Sequence, residues 1–435
     1  MLEFRAARPI TGESNLRCWL VGLAIVLSCQ ACRGPSNPPL PDPPSEPLPV
    51  EANEPMVDGE LTPENKSSAS EAPPIRNKPT QPSLSPAGER AVAWLRSQLT
   101  ESFVTTTGQT ARLIDSYEDD VRAGWIYDAS LAVIVFSALG DLETARELLF
   151  GLTALQKDDG SWAFSYNPDQ VRPLNKKIYS GSNAWVVMAI NFYEMESTRN
   201  EFAETARRSL SYLTRFRQTN TSSKAFGAIS MGPAQPQSYG VESNVDCYSA
   251  FRFRAEIDQR SDYREIAQGI KKFILEAQWA ESTMGDGSHF FKVGYRDNSL
   301  YLDAQTWTVL ALWDDVEDRQ HLLEALVTVE EKLKTTTGRL AGTQNIIGFN
   351  EASNSIISDK VWAEGSEGAV AALRTVGQKE KSAVYHSQTI RYQTDSGGIP
   401  YATENSDAWP TVPAVASTGW FILNELKPPR NPFRP

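Results

Sequence analysis

Asp158-Asp159-Gly160-Ser161-Trp162-Ala163-Phe164, followed shortly by Gly181-Ser182-Asn183-Ala184-Trp185-Val186-Val187, is the stretch whose reading decides the fold. The first phrase is a turn with an aromatic behind it: Asp-Gly favours a tight turn with positive φ, and the ring plugs the space between packed elements. The second opens a helix that is apolar and rich in small residues, which suits an element enclosed on all sides.

Both phrases recur. Helix openings of the second kind are Tyr127-Asp128-Ala129-Ser130-Leu131-Ala132-Val133, Glu242-Ser243-Asn244-Val245-Asp246-Cys247-Tyr248, Leu302-Asp303-Ala304-Gln305-Thr306-Trp307, Trp362-Ala363-Glu364-Gly365-Ser366-Glu367 and Val412-Pro413-Ala414-Val415-Ala416-Ser417. Their polar openings at Asp128, Asn183, Asn244, Asp303 and Glu364 are 55, 61, 59 and 61 residues apart. A period near 60 is one helix pair with its two loops. Between them run more polar amphipathic segments at about 88–100, 141–157, 199–218, 261–279, 316–335 and 376–392. Turn phrases return as Lys224-Ala225-Phe226-Gly227, Gly285-Asp286-Gly287-Ser288-His289-Phe290-Phe291, Thr337-Gly338-Arg339-Leu340 and Asp395-Ser396-Gly397-Gly398-Ile399-Pro400-Tyr401. Sustained period-two alternation is missing, so the expected class is all-α: six inner and six outer helices over residues 88–435.

Upstream, Arg5, Arg8 and Arg17 precede the apolar run Trp19–Leu27, which is too short for a permanent membrane helix but fits a secretory leader. Val26-Leu27-Ser28-Cys29 resembles the bacterial lipobox, so residues 1–28 are expected to be a lipoprotein-type signal peptide and Cys29 the lipidated residue, with Cys32 as the fallback. Residues 29–87 form a Pro-rich linker: 33–87 alone hold 15 of the 27 prolines and offer too little apolar surface to order themselves. The expected location is the cell envelope, with a membrane reached through the lipid anchor.

Formal charge is −12 and no basic stripe appears in the folded part, which disfavours a nucleic-acid partner. Cys247 is the one cysteine of that part, so no internal disulfide framework is expected.

Six helix pairs, with Gln156-x-x-Asp159-Gly160-Ser161-Trp162 closing an outer helix, resemble the (α/α)6 barrels of several glycoside hydrolase families. The same phrase resembles the repeat motif of triterpene cyclases. Taken with the helix openings above, the terminal Asn431-Pro432-Phe433 resembles bacterial toroid proteins of glycosidase-like kind. This resemblance covers residues 88 to 433. It implies an (α/α)6 toroid with a carbohydrate-type cleft and names no catalytic residues.

In a toroid the N-termini of the inner helices converge on one mouth. Asp128, Glu242, Asp246, Asp303, Glu364 and Glu367 are expected there. One carboxylate at a helix N-terminus is ordinarily a cap that complements the helix dipole. Several together repel one another, and repulsion with burial raises a pKa, as a general acid at neutral pH requires. Glycoside hydrolysis uses one protonated carboxyl and one ionised carboxylate. The expectation is Glu364 as acid and Asp303 or Asp128 as base, with Glu242 next for either role. For substrate binding, Tyr127, Trp162, Trp362 and Tyr401 are expected to stack on sugar, and Asn183, Asn244, Gln305 and Asp246 to meet its polar groups. Trp185 and Trp307 are expected to be structural.

Three histidines, two of them on outer segments, leave no His-rich metal site, and no metal or cofactor is expected. Alternatives to a hydrolase are a non-catalytic glycan- or peptide-binding lipoprotein and a polysaccharide lyase, the latter using Tyr239 or Tyr301 as base and Arg296 to neutralise a uronate.

Overall fold

A computed structural model of the chain describes residues 83–282, 286–337, 345–355, 360–403 and 410–434. The expectations for the leader, Cys29, Cys32, the linker up to residue 82, Gly285 and the turn at 338–340 lie outside these residues.

Twelve helices alternate between two rings among the described residues. The outer ring is α1 (Pro86–Ser97), α3 (Leu142–Leu155), α5 (Ala203–Thr214), α7 (Ser261–Lys272), α9 (Gln320–Lys332) and α11 (Lys379–Arg391). The inner ring is α2 (Ile126–Ala138), α4 (Ser180–Ser197), α6 (Val241–Ile257), α8 (Leu302–Leu312), α10 (Ala363–Thr375) and α12 (Val415–Glu425). Each inner helix packs on the next, and α12 returns to α2, so the ring closes. All thirteen residues of α2 are buried, whereas α7 buries four of its twelve. This contrast is the one the apolar and amphipathic segments foretold.

Closure is made by the two ends of the domain. Ser85 caps α1, its Oγ accepting from Gly88 N at 3.2 Å, and Pro86 fills the first helical position. Ser85 N in turn donates to Glu425 Oε2 at 3.2 Å, and α1 packs against α12.

Short antiparallel sheets occupy the connections from outer to inner helices: Phe103–Val104 with Thr110–Ala111, Gly124–Trp125 with Ser165–Asn167 and Arg172–Pro173, Trp279–Glu281 with His289–Phe291, and Lys334–Thr337 with Ile346–Phe349. The turn glycines sit where expected. Gly160 has φ +88°, and a Cβ there would come within 2.4 Å of Arg208 O in α5; Gly397 has φ +99° and meets Arg90 O of α1 in the same way.

In five of the six inner helices, a residue four places after the N-cap pins the preceding loop; on α2 that place is Ala129. Asn183 Oδ1 accepts from Trp162 N at 2.8 Å while its Nδ2 donates to Trp162 O and Tyr179 O. Asn244 holds Ile229 N and O, and Gln305 holds Phe291 N and O, in the same two-sided manner. Ser366 and Thr418 accept from Phe349 N and Ile399 N, both at 2.9 Å. This corrects the expectation for Asn183, Asn244 and Gln305. They are fully buried, and their amides satisfy loop backbone instead of meeting a ligand.

Candidate active site

The N-caps of the inner helices are Trp125, Tyr179, Gly240, Tyr301, Trp362 and Ala414. From Tyr179 to Trp362 they are spaced 240−179 = 61, 301−240 = 61 and 362−301 = 61. Two and six places after a cap lie one helical turn apart on one face, and that face looks to the ring axis. It carries Gly181 and Trp185 on α4, Glu242 and Asp246 on α6, Asp303 and Trp307 on α8, and Glu364 and Gly368 on α10. On α2 it carries Tyr127, and on α12 Trp420.

Of these residues, Tyr127, Trp185, Glu242, Asp246, Asp303, Trp307 and Glu364 line a cavity of about 60 Å³. Tyr301, Trp362 and Tyr401 extend the aromatic wall, and Phe164 and Ser182 complete it. Trp185, Trp307 and Trp420 gather at the inner end with Phe433, which is fully buried; its ring lies 5.4 Å from both Trp185 and Trp307 and 6.3 Å from Trp420. The C-terminal tail thereby stoppers the axis, held by Asn431 Nδ2 donating to Leu310 O at 2.9 Å.

Trp420 Nε1 donates to Tyr127 Oη at 2.9 Å, and Tyr127 Oη donates to Glu364 Oε1 at 2.5 Å. Glu364 is 4% exposed. Burial pushes its carboxyl up to about 8, with Asp128 and Asp303 adding to the rise and the tyrosine bond restraining it. Asp303 rises to about 6 through burial, restrained by its Oδ1 accepting from Ala304 N at 2.7 Å. At pH 7 Glu364 is thus mostly protonated and Asp303 mostly ionised. Glu242 and Asp246 are both pushed well above the usual carboxylate range, by burial first and by Asp303 next. Glu351 reaches the same cavity but pairs with the buried Lys360 at 2.6 Å.

Several expected residues are elsewhere. Asp128 is three places after its cap and does not line the cavity; burial raises it to about 7 while Ser116 hydrogen-bonds to it, so it is withdrawn as a base at the reacting centre. Glu367 turns away to His386 on α11, whose Nδ1 lies 3.0 Å from Glu367 Oε2. Trp162 is fully buried, donating from Nε1 to Leu152 O at 2.7 Å, and does not line this cavity. Tyr127, Trp362 and Tyr401 do line it. Trp185 and Trp307, expected to be structural, form part of the lining; counting from an aromatic cap instead of a polar opening would have found them. Among the described residues no group of three or more His, Cys, Asp or Glu side chains is placed to hold a metal ion.

No protein-family model matches the chain, and no curated protein matches it in sequence. Solved structures do match in shape. A wild-type glycosidase superposes with a TM-score of 0.57 at 9% identity, over 77% of this chain and 94% of its own. A family 76 glycoside hydrolase from a bovine Bacteroides thetaiotaomicron strain gives 0.54 at 11% identity, over 78% of each chain. A D-mannose isomerase gives 0.51 at 14% identity, over 78% of this chain and 96% of its own. At such identities the likeness is one of fold, and the fold is the (α/α)6 toroid that glycosidases share.

Proposed function

We propose that the protein hydrolyses a glycosidic bond in an oligo- or polysaccharide, with Glu364 as general acid and Asp303 as its ionised partner. The observation that carries this reading is that two carboxyls in one aromatic-walled cavity have their protonation pushed apart around neutrality, Glu364 up to about 8 and Asp303 only to about 6. Glu364 gives its proton to the glycosidic oxygen as the C–O bond breaks. Asp303 takes a proton from the attacking water, or itself bonds to the anomeric carbon before water releases it. Glu242 is the alternative to Asp303 in that second role. Trp362, Tyr401 and Tyr127 supply the flat apolar surfaces on which a pyranose stacks.

The lyase alternative loses support, since Arg296 lines a separate surface depression with Lys224 and Lys292, and no cation is among the described residues that line the cavity. The same proposal puts the toroid in the cell envelope, with Cys29 acylated and the linker as tether; the linker ends before Ser85, not at residue 87, because Ser85 caps α1 and binds Glu425.

The test is product analysis with the full chain on a panel of oligosaccharides and free aldoses. New reducing ends, lost in Glu364→Gln and in Asp303→Asn while both variants melt cooperatively, are the expected result. Cleavage retained in both variants rejects the assignment, and interconversion of free aldoses without cleavage makes the site an isomerase.

A further inference from the structure

The cavity holds more carboxyls than bond hydrolysis employs. With Glu364 and Asp303 assigned and Glu351 paired to Lys360, Glu242 and Asp246 remain, one turn apart on α6. Asp246 is 1% exposed and lines the cavity beside the Trp185 indole, which restrains its raised carboxyl, and its Oδ1 makes no well-formed hydrogen bond. Its Oδ2 fills the place a side chain at position 181 would take, for a Cβ on Gly181 would lie 2.8 Å from it. The chain thus makes room for a buried acidic group and leaves its Oδ1 without a well-formed partner. An unpaired buried carboxyl is costly unless something occupies the site.

We propose that the sugar unit bound in the cavity carries a protonated amine, held by Asp246 and Glu242; this rests on the hydrolase reading for the sugar and deepens it to an amino sugar. Neutral hydroxyls are bound equally well by amide or hydroxyl side chains, which do not repel one another. A cluster of buried carboxyls with no cation among its described lining residues instead resists ionisation, and a cation bound there stabilises the ionised form. An ammonium offers three donors, enough for Asp246 Oδ1 and an oxygen of Glu242 together. Trp185 and Trp307, whose ring centroids are 5.5 Å apart on the same wall, add faces that attract a cation. A metal ion is the less suitable occupant, because the described carboxyls are not grouped as a metal cage.

The test is calorimetric titration at pH 6 of the full-length Glu364→Gln variant, which holds ligand without turning it over. Ligands are glucosamine oligomers, the N-acetylated oligomers and the parent glucose oligomers, with galactosamine and mannosamine as monosaccharide amines. At least tenfold tighter binding of an amine than of its acetylated and neutral counterparts is expected, and Asp246→Asn in the same background should erase that preference. Acetylating the ligand asks the question without altering the protein, so the outcome stands even where the aspartate variant folds poorly. Equal binding of amine and neutral forms, binding of neither, or an amine preference surviving Asp246→Asn overturns the proposal. An amine that binds but is never cleaved by the native protein leaves this inference standing and removes the hydrolase; cleavage of neutral glycans alone does the reverse.

Discussion

Glu364 and Glu367 stand three residues apart on α10 and live in opposite electrostatic worlds. Glu364 faces the cavity, where its only hydroxyl donor is a tyrosine and its charged neighbours are other acids. Glu367 is fully buried against α11, where His386 bridges it to Glu425 at 3.0 and 2.7 Å and Asn424 Nδ2 donates to it at 2.8 Å. The neighbouring carboxylates raise His386 to about 9 despite its burial, and Glu425 falls to about 2 because His386 and Ser85 bind its charged form. A buried acid given a cation is a part of the scaffold. One denied a cation, at a cavity, is available for proton transfer.

The largest effect that sharpens this contrast is on activity. Glu364→Gln is expected to lower cleavage by roughly 100- to 10,000-fold, the usual worth of a general acid, in steady-state assays on whichever glycan is cleaved. Glu367→Gln should leave the chemical step within a few-fold of native.

The next effect is on stability. His386→Ala leaves Glu367 and Glu425 with only the more distant charge of Arg374, and a loss of about 3–5 kcal/mol is expected in denaturant unfolding. Because the folded pKa of His386 is raised, its contribution is complete below about pH 6.5 and disappears as pH climbs through about 9. The Glu425 share is present above about pH 4.5 and lost as pH falls through about 2. The deficit of the variant should therefore be greatest between pH 5 and 6; a deficit that grows toward pH 10 breaks the comparison.

Glu364 carries the opposite sign. A carboxyl that prefers to stay protonated in the folded chain lowers stability as pH rises from about 4.5 through about 8. Glu364→Gln should melt several degrees above the native protein at pH 9 and together with it at pH 4. Smallest is the effect of a loop clamp: Asn244→Ala leaves Ile229 N–H and C=O without partners and should cost about 1–3 kcal/mol, with cleavage rates little changed.

Ring architecture was legible in the sequence because burial acts over whole helices: a segment like Ile126–Ala138, apolar around most of its circumference, has no face to offer water. Glu242, Asp303 and Glu364 were equally legible as acids opening such helices, and so was Asp128, which the structure turns away from the cavity. Register was not. Matching the repeats by polar residue type set Asp128, Asn183 and Asp303 side by side, although they stand three, four and two places after their caps. Each residue turns a helical side chain by about 100°, so a slip of two exchanges the axis for the loop. That slip made ligands of the clamps Asn183, Asn244 and Gln305, and hid Trp185 and Trp307. The His386 triad was out of reach, since an outer-ring histidine gives no sign of the acids that other helices bring to it.

Phe433 gives the ring a final property. A toroid open at both faces lets a polymer slide through; one corked by its own tail offers a single doorway. Anything that enters the basin backs out along its path of entry, so under the proposed hydrolysis leaving group and incoming sugar contend for one passage. Fragments still lodged inside are then competitors of the next molecule, and turnover is expected to slow as they accumulate.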